Sequence, residues 1–192
     1  MNVYDFDGTI YKGDSTIDFY LFVLKRHPGI LRHLPAFCGT AVRHKIKKCS
    51  TKELKTCFFR FLSDISDVEY EVGQFWETHF QNIMPWYFLQ KQETDVIISA
   101  SPVFLLKKPC QMLGVRTLIA SHVDVQTGAF LSENCKGEEK VRRFREKYPY
   151  ESVDQFYSDS FSDLPMAKIA EKSFLIHNGC LKPWNTRKGA HL

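Results

Sequence analysis

Two acidic residues near the start of the chain, in Asp5-Phe6-Asp7-Gly8-Thr9, are the first residues that could do chemistry. Residues Asn2 to Phe6 predict a short β-strand, and side chains two apart on a strand point the same way, so Asp5 and Asp7 can share one pocket. Two close carboxylates repel unless a cation neutralises them, and their hard oxygens suit Mg²⁺. A carboxylate can also attack phosphorus and form an aspartyl-phosphate. The alternative is a polar strand end followed by an ordinary Asp-Gly turn.

A second acidic pair, Asp159 and Asp163, follows an apolar strand that ends near Tyr157 and precedes a helix. Asp159 could reach a metal from this neighbouring strand end, and Asp163 could orient a metal-bound water. The alternative is that Ser162 or Asp163 only caps the helix.

Two further residues are candidates for holding a phosphate. Ser99 ends the β-branched run that begins at Val96, and its hydroxyl with the following backbone N–H groups could cradle an anion. The alternative is a routine N-cap serine. Lys136 stands at the entrance of a predicted helix, where a cation could neutralise a transferring phosphoryl group. Lys140, one turn later, is its rival, and either could be an ordinary surface lysine.

The elements that must position these residues alternate between strand and helix after Gln90. The pattern predicts further strands at Val96–Ser99, Arg116–Ala120, Val153–Tyr157 and Phe174–Ile176, helices at about 101–114, 137–148 and 163–171, and a hairpin at Asp124–Glu133. This order indicates an α/β fold with a parallel sheet flanked by helices, whose ligands bind outside the carboxyl ends of the strands. Helical periodicity from about Ser15 to Gln90 indicates an inserted cap. The predicted core therefore comprises residues 1–13 and 91–192, and the cap residues 14–90.

Composition narrows the class of protein. The chain has 192 residues, of which 44% are hydrophobic and 25% charged, so a buried core is expected and disorder is not. A net charge of +4 does not by itself indicate nucleic-acid binding. Six cysteines without a C-x-x-C spacing argue against a disulfide framework or a zinc site. Because neither a signal peptide nor an apolar run of about 18 residues is visible, a cytoplasmic protein is expected.

Taken in order, these residues resemble the four motifs of the haloacid dehalogenase superfamily. Asp5 to Thr9 matches the first motif, Ser99 the second, Lys136 in Asn134-Cys135-Lys136-Gly137-Glu138 the third, and Asp159-x-x-x-Asp163 the fourth. The third motif and the helical insert directly after the first are similar to the phosphoserine-phosphatase-like branch. The resemblance implies a Rossmann-like core with a helical cap, and a Mg²⁺-dependent phosphatase that cleaves a phosphate monoester.

The resemblance also implies a role for each matched residue. Asp5 would be the nucleophile, and Asp7 would protonate the leaving oxygen and then deprotonate the hydrolytic water. The metal would be held by Asp5, the backbone carbonyl of Asp7, and Asp159.

The other matched residues would support these groups. Asp163 would support the water shell of the metal. Ser99 and Lys136 would hold the phosphoryl oxygens, and Thr9 would stand with them or assist the acid–base step.

The substrate is less defined by the sequence. Asp14 occupies a position where similar phosphoserine phosphatases carry a glutamate that meets the substrate, and it could instead cap the helix that starts near Thr16. Arg60 and Arg43 are the candidates for a substrate-binding arginine in the cap. The substrate is therefore expected to be a small phosphorylated metabolite or an amphiphile such as a lipid phosphate.

The predicted cap is aromatic and strongly basic, with Glu53 the only acid between Lys25 and Arg60. This is either a helix bundle with a solvated basic face or a surface that attracts an anionic amphiphile near a membrane. Two other functions stay open: a phosphotransferase that uses the same aspartyl-phosphate, and a non-catalytic basic module that binds anionic lipid or nucleic acid. Nucleic acid is not expected, because the basic stretch lacks a recognised motif.

Overall fold

The computed structural model describes residues 1–185 and contains one twisted sheet. The strands are β1 (Asn2–Tyr4), β2 (Val96–Pro102), β3 (Thr117–Ser121), β4 (Val153–Ser158), β5 (Ala170–His177) and β6 (Cys180–Pro183). Their order in the sheet is β3-β2-β1-β4-β5-β6. All neighbours pair in parallel except β5 and β6, which are antiparallel. The predicted α/β class with a mainly parallel sheet is therefore confirmed.

Helices fill both faces of this sheet and the whole insertion between β1 and β2. They are α1 (Ser15–Arg26), α2 (Leu34–Lys45), α3 (Thr51–Phe59), α4 (Val68–His79), α5 (Pro85–Gln90), α6 (Val103–Leu113), α7 (Glu138–Lys147) and α8 (Leu164–Ile169), with short 3₁₀ turns between several of them. Local sequence sets the helix starts in the insertion. Asp14 and Asp67 accept bonds from the first-turn amides of α1 and α4, and Ser50 with Glu53 forms a capping box before α3.

The core is divided by the sheet, and residues alternate between its two sides. Tyr4, Ile97 and Tyr157 pack into one apolar cluster with α6 and the inserted helices. Their neighbours Val3 and Phe156 pack into the other cluster, against Phe144 of α7 and Met166 of α8. This is the two-residue period of buried strands. Because the first cluster is continuous, the inserted helices are held against the sheet at the end where the site lies.

The hairpin predicted at Asp124–Glu133 is present but short. It has one bridge, between Val123 and Phe130, flanked by backbone bonds from Asp124 N–H to the Ala129 carbonyl and from Leu131 N–H to the His122 carbonyl, and its turn packs on the cap. A Cβ at Gly128 would lie 2.3 Å from the Phe59 carbonyl oxygen, and the Phe130 amide donates to Thr56 Oγ1.

A second hairpin, not predicted from the sequence, lies near the end of the described residues. It joins β5 to β6 through Asn178 and Gly179, which both have positive φ values. Asn-Gly is the favoured pair for such a two-residue turn. Ala170 and Glu171 belong to β5, so the helix predicted to reach Glu171 ends earlier. The last residues of the predicted core, 186–192, lie outside the described residues.

Candidate active site

The carboxyl ends of β1, β2 and β4 meet beneath the inserted helices and form a pocket of about 460 Å³. Most of the residues singled out from the sequence line it. They are Asp5, Asp7, Asp14, Ser99, Lys136, Lys140 and Asp163. Residues of the inserted helices form the opposite wall and are mostly apolar: Ile17, Phe37, Leu54, Phe58 and Phe59. Folding therefore brings residues from the start, middle and end of the chain to one place, as expected at the strand ends of an α/β sheet.

A buried ion cluster forms the floor of the pocket. Lys140 Nζ donates to Asp5 Oδ1 at 2.8 Å and to Asp163 Oδ2 at 2.7 Å. Ser158, the last residue of β4, donates its hydroxyl to the same oxygen of Asp163 at 2.8 Å. The Lys140 side chain is only 2% exposed, so this one ammonium pairs with both carboxylates out of contact with bulk water and offsets one of their two negative charges.

Burial and charge act in opposite directions within this cluster. Desolvation raises the pKa of Asp5 to about 7; the Asp163 carboxylate adds to this shift and the nearby Lys140 ammonium opposes it. The two carboxylates together outweigh desolvation at Lys140 and raise its pKa, so the lysine stays charged. The Lys140 ammonium between the two carboxylates favours the ionised form of Asp5, which is the form that a nucleophile needs.

Asp7 is held in a different way, without a cation. Its Oδ1 accepts the backbone N–H of Ser15 at 2.7 Å, and its Oδ2 accepts the hydroxyl of Ser101 at 2.5 Å. Burial raises the pKa of Asp7 to about 6, although the bonds from Ser101 and Ser15 oppose the shift. A carboxyl group with a pKa near neutrality can both give and take a proton, as a general acid–base residue must.

Ser99 lies in the middle of β2 and lines the pocket, and its hydroxyl accepts the backbone N–H of Ser101 at 3.1 Å. Ser101 was not predicted as a site residue, although it stands two residues after Ser99 and lines the same pocket. Its hydroxyl also bonds to Thr16 Oγ1 at 2.9 Å, which ties β2 to the start of α1. The spacing of Ser99 and Ser101 could have identified Ser101 from the sequence, whereas its contact with Thr16 could not have been read from the sequence.

Asp159 packs directly against the loop of the first motif. Gly8 has φ +70°, and a Cβ built there would lie 2.1 Å from Asp159 Oδ2. Only glycine leaves room for this carboxylate beside the residue that follows Asp7. Asp159 lines a second pocket together with Gly8 and Gly13, and burial raises its pKa. The first and fourth motifs are therefore in direct contact.

The implied set of donors fits a hard divalent cation by chemistry; Asp5 and Asp7 line the first pocket and Asp159 the second. The carboxylates of Asp5 and Asp159 and the backbone of Asp7 offer only oxygen, which Mg²⁺ prefers. The remaining oxygen of Asp163, Oδ1, is buried and has no hydrogen-bond partner in the described chain, so it is available to a metal-bound water. Residues 1–185 contain no group of three or more His, Cys, Asp or Glu side chains that could hold a metal. The implied set has only two such side chains, because its third ligand is a backbone carbonyl.

Three lysines reach the pocket, but their environments differ. Lys140 bonds to Asp5 and is buried, whereas Lys136 lines the pocket and is exposed. Sequence spacing left these two as rivals, and the structure places Lys140 against the predicted nucleophile. Lys55 of α3 was not predicted as a site residue. Its ammonium donates to the Ala100 carbonyl at 3.1 Å and to Asn134 Oδ1 at 2.8 Å, so it joins the cap to the core.

The remaining candidates are distributed less compactly. Asp14 caps α1 through the amides of Thr16 and Ile17 and also lines the pocket, so both of its predicted roles are compatible. Thr9 is fully buried, and its hydroxyl has no bond within the described residues.

The two cap arginines lie elsewhere. Arg43 and Arg60 line a different surface pocket between α2 and α3, together with Ser50 and Glu53. The structure does not bring either arginine to the carboxylates.

Comparison with known proteins agrees with this architecture. A family model described as haloacid dehalogenase-like hydrolase matches residues 3–168. No curated protein sequence matches the chain. A protein with unknown function from Bordetella pertussis Tohama I has a similar structure, with TM-score 0.71, 18% identity, and coverage of 90% of this chain and 87% of that one.

Two further solved structures have similar folds. A phosphoserine phosphohydrolase-like protein from Francisella tularensis aligns with TM-score 0.58 and 14% identity over 93% of this chain and 88% of its own. A probable phosphoserine phosphatase from Vibrio cholerae aligns with TM-score 0.59 and 15% identity over 90% and 55%. At these identities the likeness concerns the fold.

Proposed function

We propose that this chain, which belongs to the haloacid dehalogenase-like hydrolase family, is a Mg²⁺-dependent phosphatase that cleaves a phosphate monoester through an aspartyl-phosphate on Asp5. The observation that carries the proposal is the buried Lys140 bonded to both Asp5 and Asp163 beside the hydrogen-bonded Asp7. Asp5 is paired with a cation, whereas Asp7 is held by hydrogen bonds and burial raises its pKa to about 6. Two carboxyl groups with different environments can divide nucleophilic and acid–base work between them.

The reaction would have two steps. A carboxylate oxygen of Asp5 attacks phosphorus, and the leaving oxygen takes a proton from Asp7. Asp7 then takes a proton from water, which attacks the phosphorus of the aspartyl-phosphate, releases inorganic phosphate and restores the Asp5 carboxylate. Lys140 and Ser99 would steady the phosphoryl oxygens, with Lys136 at the edge of the same pocket.

Asp5, the Asp7 carbonyl and Asp159 would hold Mg²⁺, and Asp163 would orient its water. When bound, the ion would offset the negative charge of the phosphoryl group. The close packing of Asp159 on Gly8 and the unpaired oxygen of Asp163 support this assignment.

The test is a screen of soluble phosphate monoesters with Mg²⁺, with Asp5→Asn as the control. We expect phosphate release that falls at least about 10³-fold in Asp5→Asn and is lost with a chelator, because each removes a group that acts in the transition state. Circular dichroism of the variant would establish that it folds. Hydrolysis that persists in Asp5→Asn would refute the covalent mechanism.

The same assay separates the other functions. Added alcohols would be phosphorylated if the aspartyl-phosphate passes its group to an acceptor other than water, as the phosphotransferase alternative requires. A non-catalytic module would release no phosphate from any substrate. The buried Asp5–Lys140–Asp163 cluster argues against this, because burying charge is costly and a vestigial site has no reason to keep it.

The substrate is expected to be a phosphorylated small molecule or an amphiphile. The apolar wall of the pocket, which Lys55 and Lys136 also line, supports a substrate with both an apolar and an anionic part. A cytoplasmic location stays a prediction. No helix within residues 1–185 is long and apolar enough to cross a membrane.

A further inference from the structure

Helix α2 is unusual among the inserted helices because none of its residues is buried. Four apolar residues are exposed in a stripe at intervals of four: Leu34, Cys38, Val42 and, just past the helix end, Ile46. Leu34 is 37% exposed, Val42 63% and Ile46 55%. A surface helix of a globular protein normally turns such a stripe towards the core. The outward stripe therefore calls for an apolar partner outside the fold.

The segment of chain that carries this stripe is basic. No acidic residue occurs between Asp18 and Glu53, whereas eight lysines and arginines do: Lys25, Arg26, Arg32, Arg43, Lys45, Lys47, Lys48 and Lys52. Arg26 is paired with Glu71, and Arg32 with Asp64, both from other elements. Arg43, Lys45, Lys47 and Lys48 cluster at the carboxyl-terminal end of the helix and are all exposed.

We propose that this surface, the α2 face, docks on an anionic lipid surface. The α2 face is defined by Leu34, Cys38, Val42 and Ile46 with the four cations Arg43, Lys45, Lys47 and Lys48. An interfacial helix buries its apolar stripe at the boundary of headgroups and acyl chains, and its cations bind anionic headgroups. Long lysine side chains beside the stripe can place their stems in the apolar layer and their ammonium groups among the phosphates.

Two other occupants fit the α2 face less well. A second copy of the chain in a symmetric dimer would place the cations of one copy against those of the other. Nucleic acid would satisfy the cations but would leave Leu34, Val42 and Ile46 against a polar phosphate backbone. A lipid surface is the occupant that satisfies both the apolar and the charged parts.

The α2 face is close to the pocket but does not depend on it. Phe37, on the inner side of the same helix, lines the pocket wall, whereas the residues of the α2 face do not line it. Docking would therefore bring the pocket near the lipid surface. The inference concerns binding and holds whether or not the chain is a phosphatase.

The experiment is co-sedimentation of the full chain with vesicles of phosphatidylcholine alone or with about a third phosphatidylglycerol. We expect binding to the anionic vesicles that weakens steeply between low and high salt, and little binding to pure phosphatidylcholine. Binding to neither vesicle, or equal and salt-insensitive binding to both, would overturn the proposal.

Two double variants separate the apolar and charged contributions. Lys45→Glu with Lys48→Glu should weaken binding roughly fivefold or more per residue, because each reverses a charge near the surface. Val42→Asp with Ile46→Asp should abolish it. Leu131→Asp is the matched control, since Leu131 is 67% exposed but lies outside the α2 face, and it should bind like the wild type.

The folding of each variant and the oligomeric state of the chain are measured beside lipid binding. Since the substituted side chains are exposed, circular dichroism and thermal unfolding should match the wild type in every variant. A dimer seen by light scattering without lipid and lost in Val42→Asp with Ile46→Asp would overturn the proposal in favour of a second copy.

Discussion

The floor and the cap wall of the pocket differ in chemical character. The floor, from the strand ends and α7, consists of buried charges that are paired or hydrogen-bonded, such as Lys140 with Asp5 and Asp163. The cap wall, from α1 to α3, is mostly apolar, and Lys55 is the cation of α3 that reaches the pocket. The floor is rooted in the parallel sheet, whereas the wall belongs to helices whose outer side faces solvent.

This difference suggests a division of labour. A buried ionic cluster is costly to assemble and tolerates little change, so it suits chemistry that must be geometrically fixed. An apolar wall with one lysine tolerates substitution and suits selection among substrates. Substitutions in the floor should therefore lower turnover or stability, and substitutions in the wall should alter substrate affinity.

The largest effect is expected for Lys140→Met. The change leaves Asp5 and Asp163 buried without their cation, which should cost about 3–5 kcal/mol in the free energy of unfolding and most of the activity. Denaturant unfolding and phosphate release measure the two effects. Lys136→Met is the matched control and should lower activity far less, because Lys136 is exposed and not bonded to Asp5. A greater loss in Lys136→Met would reverse the assignment of these two lysines.

Gly8→Ala tests the contact between the first and fourth motifs. Its Cβ would collide with the Asp159 carboxylate, so we expect the Mg²⁺ concentration for half-maximal activity to rise about tenfold or more. Gly114→Ala is the control for backbone strain, because Gly114 has φ +73° with nothing within 4 Å of the added Cβ. An unchanged Mg²⁺ requirement in Gly8→Ala would remove Asp159 from the metal site.

Lys55→Met tests whether the cap wall contributes to substrate binding rather than to the chemical step. Loss of its charge should raise KM about tenfold with little change in kcat, because it removes binding that the ground and transition states share. Burial lowers the pKa of Lys55 to about 8, so the wild-type KM should rise as the ammonium loses its proton above that pH. Lys55→Arg should move this rise to higher pH. A fall in kcat at constant KM would place Lys55 in the chemistry instead.

The smallest effect is expected at Glu139, behind the floor. Its bonds with Arg142 and Arg143 lower its pKa to about 2. The ionised form is therefore stabilised by folding, and this contribution is full above about pH 4.5 and is lost as pH falls towards 2. Glu139→Gln should reduce the free energy of unfolding by about 1 kcal/mol at pH 7. The substitution should also flatten the pH dependence of the free energy of unfolding between pH 4.5 and 2. Activity should be unchanged. If the unfolding free energy of the variant depended on pH as in the wild type, Glu139 would not make this contribution.

Much of the fold was readable because its signals are local. The β-branched run at Val96 to Ile98 and the helical periodicity before Gln90 each required only neighbouring residues, and both elements are present. The two hairpins differ in how far local sequence describes them. Asn178-Gly179 was a local turn signal that went unused, whereas the loop near Gly128 is shaped by its contact with Phe59, which no local pattern records.

The sequence by itself determined the class of site: which carboxylates lie at strand ends, in what order, and that a helical cap covers them. It could do so because strand period and chain order fix which side chains share an edge of a parallel sheet. Only the tertiary structure decided which lysine contacts Asp5, that Lys55 reaches the core, that Arg43 and Arg60 do not, and that α2 turns its apolar stripe outward. These depend on how helices far apart in sequence pack, and helix packing is set by contacts over the whole surface of each helix rather than by spacing along the chain.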